Sequence, residues 1–220
     1  KRSSCLVCQL RVLRRGGHED SVMVKFGKQI KRLADANQLD HCVAYDVLKK
    51  AINLVVGADK EPEGQADLQA VKDIFGPSAG GAGRPPDSRF HSLLQHELAK
   101  VNTFASLEVR TLIDCMRDAH AIAAKPAPLP EETLLALERR LDSAAEKLIS
   151  IEHFRRLNFT GFRKIVKKFD KQRAGSGVGS LGSWFLPALL REPFVAEPLD
   201  ALVLALAWGY AALRRHRSGG

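Results

Sequence analysis

Apolar positions recur at helical spacing from the first third of the chain onward. Over residues 24–36 the apolar side chains fall on one face, and residues 41–56 repeat this pattern. Asp40 stands where its side chain could cap the second of these helices. Since few residues separate the two segments, the sequence predicts a short N-terminal helical hairpin.

Two much longer helical patterns follow an interruption. Residues 57–87 are rich in glycine and proline and are predicted to form a flexible loop. A long helix is predicted over 88–123 and a second over 131–156, with a proline-rich link at 125–130 between them. Long helices joined by a short link pack side by side, so we expect an antiparallel hairpin as the core.

The C-terminal third predicts shorter elements. These are a helix over 158–171, a glycine- and serine-rich linker over 174–183, a short helix and turn over 184–194, and an amphipathic helix over 199–215. Aromatic residues make up only 6% of the chain and β-branched runs are scarce, which disfavours strands. The predicted class is all-α: an N-terminal hairpin packed on a long antiparallel hairpin, with short C-terminal helices around a three-helix-bundle core.

The domain organisation follows from the same pattern. Of the 220 residues, 23–215 are predicted to form one domain that contains the loop at 57–87. Residues 1–22 are expected to be unstructured or to belong to an upstream extension, and 216–220 to form a tail. No apolar run reaches the ~20 residues that cross a bilayer, and no secretory signal is visible, so we expect no transmembrane segment and a cytoplasmic setting.

The charge balance indicates an acidic partner. The formal net charge is +9, which suits nucleic acid, anionic lipid or a phosphorylated small molecule. Cys5 and Cys8 form a single CxxC with no second pair to complete a zinc site, and the seven histidines show no metal-ligand spacing. Because no catalytic or nucleotide-binding motif occurs either, we expect no metal, no cofactor and no enzyme activity.

One basic segment, Arg155 to Arg173, concentrates the positive charge, with eight basic residues that only Asp170 offsets. On a helix, Lys164, Lys167, Lys168 and Lys171 share a face, because they recur at spacings of three and four residues. The opposite face is apolar, with Phe159, Phe162, Ile165, Val166 and Phe169. Like charges at this spacing repel by a few tenths of a kcal/mol per pair, a cost that a bound polyanion would remove.

A second basic group lies in the N-terminal hairpin. Lys49 and Lys50 follow Tyr45 by about one turn, so the Tyr45 hydroxyl and the Lys49 ammonium could contact the same phosphate. The pattern alone leaves three interpretations open. The lysines could form an ordinary solvated face, a nucleic-acid-binding surface or a pocket for a small polyanion.

Three motifs, in this order, resemble the SPX domain family. They are VKFGKQIKRL over 24–33 with YDVLKK over 45–50, FHSLLQHELAKVNTF over 90–104, and LNFTGFRKIVKKFDK over 157–171. The later stretch with Trp184 and REPF over 191–194 is similar to the segment that follows SPX in vacuolar polyphosphate polymerase subunits. In this stretch we interpret Phe194 as a core residue and Trp184 as a packing anchor.

The resemblance implies a sensor that binds inositol hexakisphosphate or inositol pyrophosphates and reports cellular phosphate status. By position in the motifs, Tyr45, Lys49 and Lys164 match the family's central phosphate-binding cluster, and Lys25 and Lys28 match lysines that approach the same ligand. The adjoining lysine surface corresponds to Lys167, Lys168 and Lys171. A protein partner or attached effector domain is implied, and so is a place at the cytosolic face of a vacuole-like membrane. The alternatives are a basic helical nucleic-acid-binding protein and a regulatory fragment of a polyphosphate polymerase.

Overall fold

The computed structural model describes residues 26–34, 37–56, 86–126, 128–174 and 179–218 of the chain. Every regular element in these ranges is helical, which confirms the predicted all-α class. In chain order they are α1 (Phe26–Leu33), a 3-10 turn (Leu39–His41), α2 (Tyr45–Val56), α3 (Pro86–Ala123), α4 (Glu131–Arg173), α5 (Leu181–Leu189), α6 (Pro193–Ala196) and α7 (Asp200–Ser218).

α3 and α4 form the predicted antiparallel hairpin. Phe90, near the start of α3, stacks on Phe169, near the end of α4, with ring centroids 4.6 Å apart. Midway along both helices, Lys147 pairs with Glu108 at 3.1 Å. α7 lies against α4 as the third long helix of the core, where Tyr210 donates a hydrogen bond to Asp142 at 2.5 Å.

The core divides into two clusters along this hairpin. At the end where α4 finishes, apolar side chains of α1, α2, α5 and α6 pack on α3 and α4. At the end where the link joins α3 to α4, apolar side chains of α7 pack on both of these helices. Phe194 is buried in the first cluster, as predicted. Trp184 is 48% exposed and rests edge-on against His91 and Phe185, so it covers the cluster without being enclosed by it.

The prediction of separate helices over 131–156 and 158–171 is wrong, because α4 continues without interruption to Arg173. No proline interrupts this stretch, and Leu157 is buried in the core. Gly161 is accommodated inside the helix for a packing reason, since a Cβ at this position would lie 2.6 Å from Cγ1 of Val43. The lysine face is therefore a direct extension of the long hairpin.

Other boundaries also differ from the predicted ones. α3 begins at Pro86, inside the predicted loop, because proline is well suited to a first helical turn that needs no N–H donor. The rest of that loop, over 57–85, and residues 1–22 lie outside the described residues. α7 extends to Ser218, into the predicted tail, and α5 begins at Leu181, inside the predicted linker. None of the helices in the described ranges is long and apolar enough to cross a membrane.

Candidate anion-binding site

The start of α2 is fixed by side chains from both long helices. The Val43 N–H donates to Oδ1 of Asn158 on α4 at 2.7 Å. The next N–H, of Ala44, donates to Oε2 of Glu97 on α3, also at 2.7 Å. Asp40, predicted as the cap of this helix, lies instead in the preceding 3-10 turn. Tyr45, the first residue of α2, is thereby held at a defined position relative to α4.

Asn158 and Glu97 are buried polar residues with further partners of their own. Asn158 is fully buried, and its Nδ2 donates to the Phe154 carbonyl at 2.8 Å. Glu97 also forms an ion pair with Lys100, with its Oε2 2.7 Å from the lysine Nζ. Sequence reasoning missed both residues. Asn158 could have been found, because it interrupts the apolar stripe of α4 at a core-facing position, where a polar side chain requires a partner.

The side chains of Phe26, Tyr45 and Lys164 meet where α1, α2 and α4 converge. The Lys164 ammonium nitrogen lies 4.4 Å from the centroid of the Phe26 ring. The Tyr45 ring packs against the same Phe26 in a T-shaped arrangement, with centroids 5.1 Å apart. Burial, with a further contribution from Asp46, raises the pKa of Tyr45, so its hydroxyl stays protonated and can donate a hydrogen bond at neutral pH.

A second group of lysines joins α2 to α4. Burial lowers the pKa of Lys168, and the nearby positive charges of Lys49 and Lys171 lower it further. Lys49 belongs to α2, whereas the other two belong to α4, so the fold brings together cations that are far apart in the sequence. Lys49 and Lys168 are half-buried, whereas Lys171 and the neighbouring Lys167 are exposed.

Two predicted ligand residues remain, Lys25 and Lys28. Lys28 is exposed on α1, the helix that also carries Phe26. Lys25 lies outside the described residues, so its assignment stays a prediction. Lys50, next to Lys49 on α2, is half-buried.

Two charged residues of the basic segment have structural roles instead. Arg155 is buried, and its guanidinium donates to the Glu197 carbonyl at 2.6 Å and to the carbonyl of Phe194. It therefore ties α6 to α4 and does not belong to the lysine face. Asp170, the one acidic residue of the segment, accepts hydrogen bonds from the N–H groups of Leu181 and Gly182 at 2.7 and 3.0 Å. By capping α5, it explains why that helix begins inside the predicted linker.

The arrangement suits binding of a multiply charged anion. It combines a neutral hydroxyl donor with ammonium groups from α2 and α4, some of them partly desolvated by the fold. Ammonium groups bind phosphate as point charges, and the hydroxyl adds a directed hydrogen bond. In the part of the chain that the structure describes, no group of three or more His, Cys, Asp or Glu side chains could hold a metal ion.

Comparison with solved structures identifies the fold. The chain superimposes on the SPX domain of glycerophosphodiester phosphodiesterase 1 from Chaetomium thermophilum with a TM-score of 0.65. The match covers 86% of this chain and 98% of that one, at 18% sequence identity. That SPX domain was solved in complex with inositol hexakisphosphate. The described chain therefore has the fold of an SPX domain.

The sequence is similar to proteins of two names, SPX domain-containing proteins and vacuolar transporter chaperone complex subunits. SPX domain-containing protein 5 of Oryza sativa is 25% identical over 80% of this chain, which spans 61% of that protein. Subunit 2 of the vacuolar transporter chaperone complex is 22% identical over 88% of this chain in Toxoplasma gondii, and 35% identical over 42% of this chain in Schizosaccharomyces pombe. No family model matches the chain.

These similarities confirm the resemblance to SPX domains that the motifs predict. They extend to subunits of the vacuolar transporter chaperone complex, as the C-terminal stretch of the sequence suggested. The chain spans only 24% and 13% of the two complex subunits.

Proposed function

We propose that this chain binds an inositol polyphosphate or inositol pyrophosphate with the lysines of α1, α2 and α4, and so senses cellular phosphate status. The observation that carries the proposal is the convergence of cations from separate helices. Lys49 on α2 lies close enough to Lys168 on α4 to lower its pKa. Near the start of α2, Tyr45 and Lys164 pack on the same phenyl ring.

This convergence argues against an ordinary solvated face. Lysines on an ordinary solvated surface keep their ammonium groups in water and apart from one another. They then pay neither a desolvation cost nor a cost of mutual repulsion. Lys168 is instead half-buried beside two like charges, an arrangement that costs free energy in the absence of an anion. A compact ligand with several phosphates would offset this cost, since it can contact several ammonium groups at once.

The proposed mechanism follows from where the cations lie. One ligand bound to Tyr45 and Lys49 on α2 and to Lys164 and Lys168 on α4 would link the N-terminal hairpin to the long hairpin. A protein partner or an attached effector domain could then recognise the combined surface. Lys28 on α1, together with Lys167 and Lys171 on α4, would extend the contact to the outer phosphates.

The comparisons support a regulatory module. The C. thermophilum SPX domain was solved with inositol hexakisphosphate, and relatives of this chain are subunits of a vacuolar transporter chaperone complex. On this basis we propose that the domain regulates phosphate or polyphosphate homeostasis at the cytosolic face of a vacuole-like membrane. An attached or associated effector would carry out any reaction, and ligand binding to this domain would regulate it.

Calorimetric titration with inositol hexakisphosphate and with orthophosphate at matched ionic strength tests the proposal. We expect the hexakisphosphate to bind at least about tenfold more tightly, a difference of about 1.4 kcal/mol. Lys164→Ala should weaken binding by roughly 1.5–3 kcal/mol and Tyr45→Phe by about 0.5–1.5 kcal/mol, the ranges for charged and neutral hydrogen bonds. Arg139→Ala is the matched control, because Arg139 is an exposed cation elsewhere on α4.

The double variant of Tyr45 and Lys164 sharpens the test. If both residues contact the same phosphate, their separate losses should be non-additive. Equal, weak binding of both anions would contradict the sensor function. Duplex DNA or RNA at ~150 mM salt should bind weakly and be displaced by inositol hexakisphosphate, because binding through phosphate contacts alone falls steeply with salt. Sub-micromolar nucleic-acid binding that resists displacement would favour the nucleic-acid alternative.

A further inference from the structure

We propose that Phe26 is a positioning residue for the anion site, whose aromatic face holds the Lys164 ammonium in place for the ligand. The inference rests on the proposed function and adds to it a residue with no charge and no hydrogen-bonding group. Its basis is the placement of the Lys164 nitrogen 4.4 Å from the Phe26 ring centroid.

Phe26 contacts two of the three residues of the central cluster, Tyr45 and Lys164. Phe26 is only 7% exposed, and its edge-to-face contact with Tyr45 fixes the ring plane. Lys164 is exposed on α4, so its long side chain would otherwise sample many rotamers. A cation within about 6 Å of a ring centroid is attracted by the negative face of the ring. The ring therefore restricts the ammonium to the side of α4 that faces α2.

Such a contact is compatible with a bound phosphate. An ammonium group has three donors, and the ring face occupies the direction of one of them. The other two remain available to phosphate oxygens. Because a lysine loses considerable rotamer entropy when it is immobilised, a lysine already oriented in the free protein binds a ligand at lower cost. The contact should consequently strengthen binding and should persist in the complex.

Phe26 also has an ordinary packing role that the test must separate from this one. It belongs to the core cluster with Val43, and its ring edge lies 3.4 Å from the place of a Cβ on Gly161. A Phe26→Leu variant alone would alter both roles. Fluorinated phenylalanines avoid this problem, because each added fluorine weakens the negative face of the ring while changing its size only slightly.

The experiment places phenylalanine with one, two or three fluorines at position 26 and measures the affinity for inositol hexakisphosphate by calorimetry. We expect affinity to fall stepwise, by about two- to fivefold in total, the equivalent of ~0.5–1 kcal/mol for an exposed cation–π contact. In a Lys164→Ala background the series should be flat. The matched control is Phe159, whose ring lies under Arg163 at 5.8 Å on the same helix. Its fluorination should leave affinity unchanged.

Proton NMR of the ligand-free protein gives an independent readout. The terminal methylene protons of Lys164 should be shifted upfield by the ring current of Phe26 and should return to ordinary values in Phe26→Leu. A flat fluorination series in the wild-type background, or affinity that rises with fluorine content, would overturn the proposal. If the wild-type protein binds no inositol hexakisphosphate, the proposed function fails. The positioning is then judged by NMR alone, and Lys164 shifts that are insensitive to Phe26→Leu overturn it.

Discussion

Replacing Asn158 by alanine should destabilise the protein and weaken the proposed anion site together. The Asn158 side chain is fully buried, and its Oδ1 accepts the Val43 N–H at 2.7 Å. Alanine offers no acceptor, so this N–H would be left buried without a partner. Because that bond fixes the start of α2, Tyr45 and Lys49 would also lose part of their positional constraint.

The magnitude follows from two opposing contributions. An unpaired buried backbone donor costs about 1–3 kcal/mol. Alanine is a better helix former than asparagine, which returns roughly 0.5 kcal/mol. The loss of the hydrogen bond from Asn158 Nδ2 to the Phe154 carbonyl adds little, since this carbonyl can still accept a backbone hydrogen bond within the helix. We therefore expect a net loss of about 0.5–2.5 kcal/mol, a fall in Tm of roughly 1–10 °C for a chain of this size.

Urea denaturation followed by circular dichroism measures the loss, with Thr160→Ala as the control. Thr160 lies two residues further along α4, and its hydroxyl donates to the Arg156 carbonyl of its own helix at 2.8 Å, so its removal should change stability by less than about 0.5 kcal/mol. Asn158→Leu, which restores volume but supplies no acceptor, should also be destabilised. If Asn158→Ala cost no more than Thr160→Ala, the buried bond would not be what anchors α2.

Three further results are expected. Asp170→Ala should cost about 1–2 kcal/mol in urea denaturation, since α5 loses its cap; an unchanged midpoint would contradict this. Lys168→Gln should raise the ligand-free Tm at neutral pH. Because folding lowers the pKa of Lys168, its charged form reduces the free energy of unfolding of the wild-type protein at any pH below that pKa. This penalty is relieved as the pH rises toward the ordinary lysine pKa. The variant lacks the penalty, so it should gain less stability in alkali than the wild-type protein does. The chain has two tyrosines, and burial raises the pKa of both. Tyrosinate absorbance in Tyr210→Phe should therefore show Tyr45 titrating above about 10, and an ordinary midpoint would contradict its burial.

Where the sequence reasoning succeeded, the signal was periodic. The helical spacing of apolar residues over 88–123 and 131–156 predicted the hairpin, and residues such as Phe90 and Leu112 are buried in it. The spacing of Lys164, Lys167, Lys168 and Lys171 predicted one face of a helix. Both inferences depend only on the 3.6-residue repeat of the α-helix, which is a property of the local backbone.

Where the sequence predictions failed, the side chain in question binds a partner that is distant in the chain. In the sequence Asp170 is only an offset to the basic charge, yet in the fold it caps a helix that begins eleven residues later. Arg155 belongs to the basic segment of the sequence, although in the fold its guanidinium donates to the carbonyls of Phe194 and Glu197. The break predicted near residue 157 is bridged because Asn158 and Gly161 are accommodated by contacts with the region before α2. A polar side chain does not reveal its partner until the helices are packed.

The amino-acid sequence by itself determined the helices, their apolar faces and the cationic face of α4, because each follows from residue type and helical spacing. Only the tertiary structure decided that Lys49 lies beside Lys168, and that Phe26 packs against both Tyr45 and Lys164. These pairs join α1 and α2 to α4, and their proximity depends on how buried groups such as Asn158 and Glu97 dock one hairpin on the other. Docking minimises unpaired polar groups and exposed apolar area over the whole chain, which no local pattern specifies.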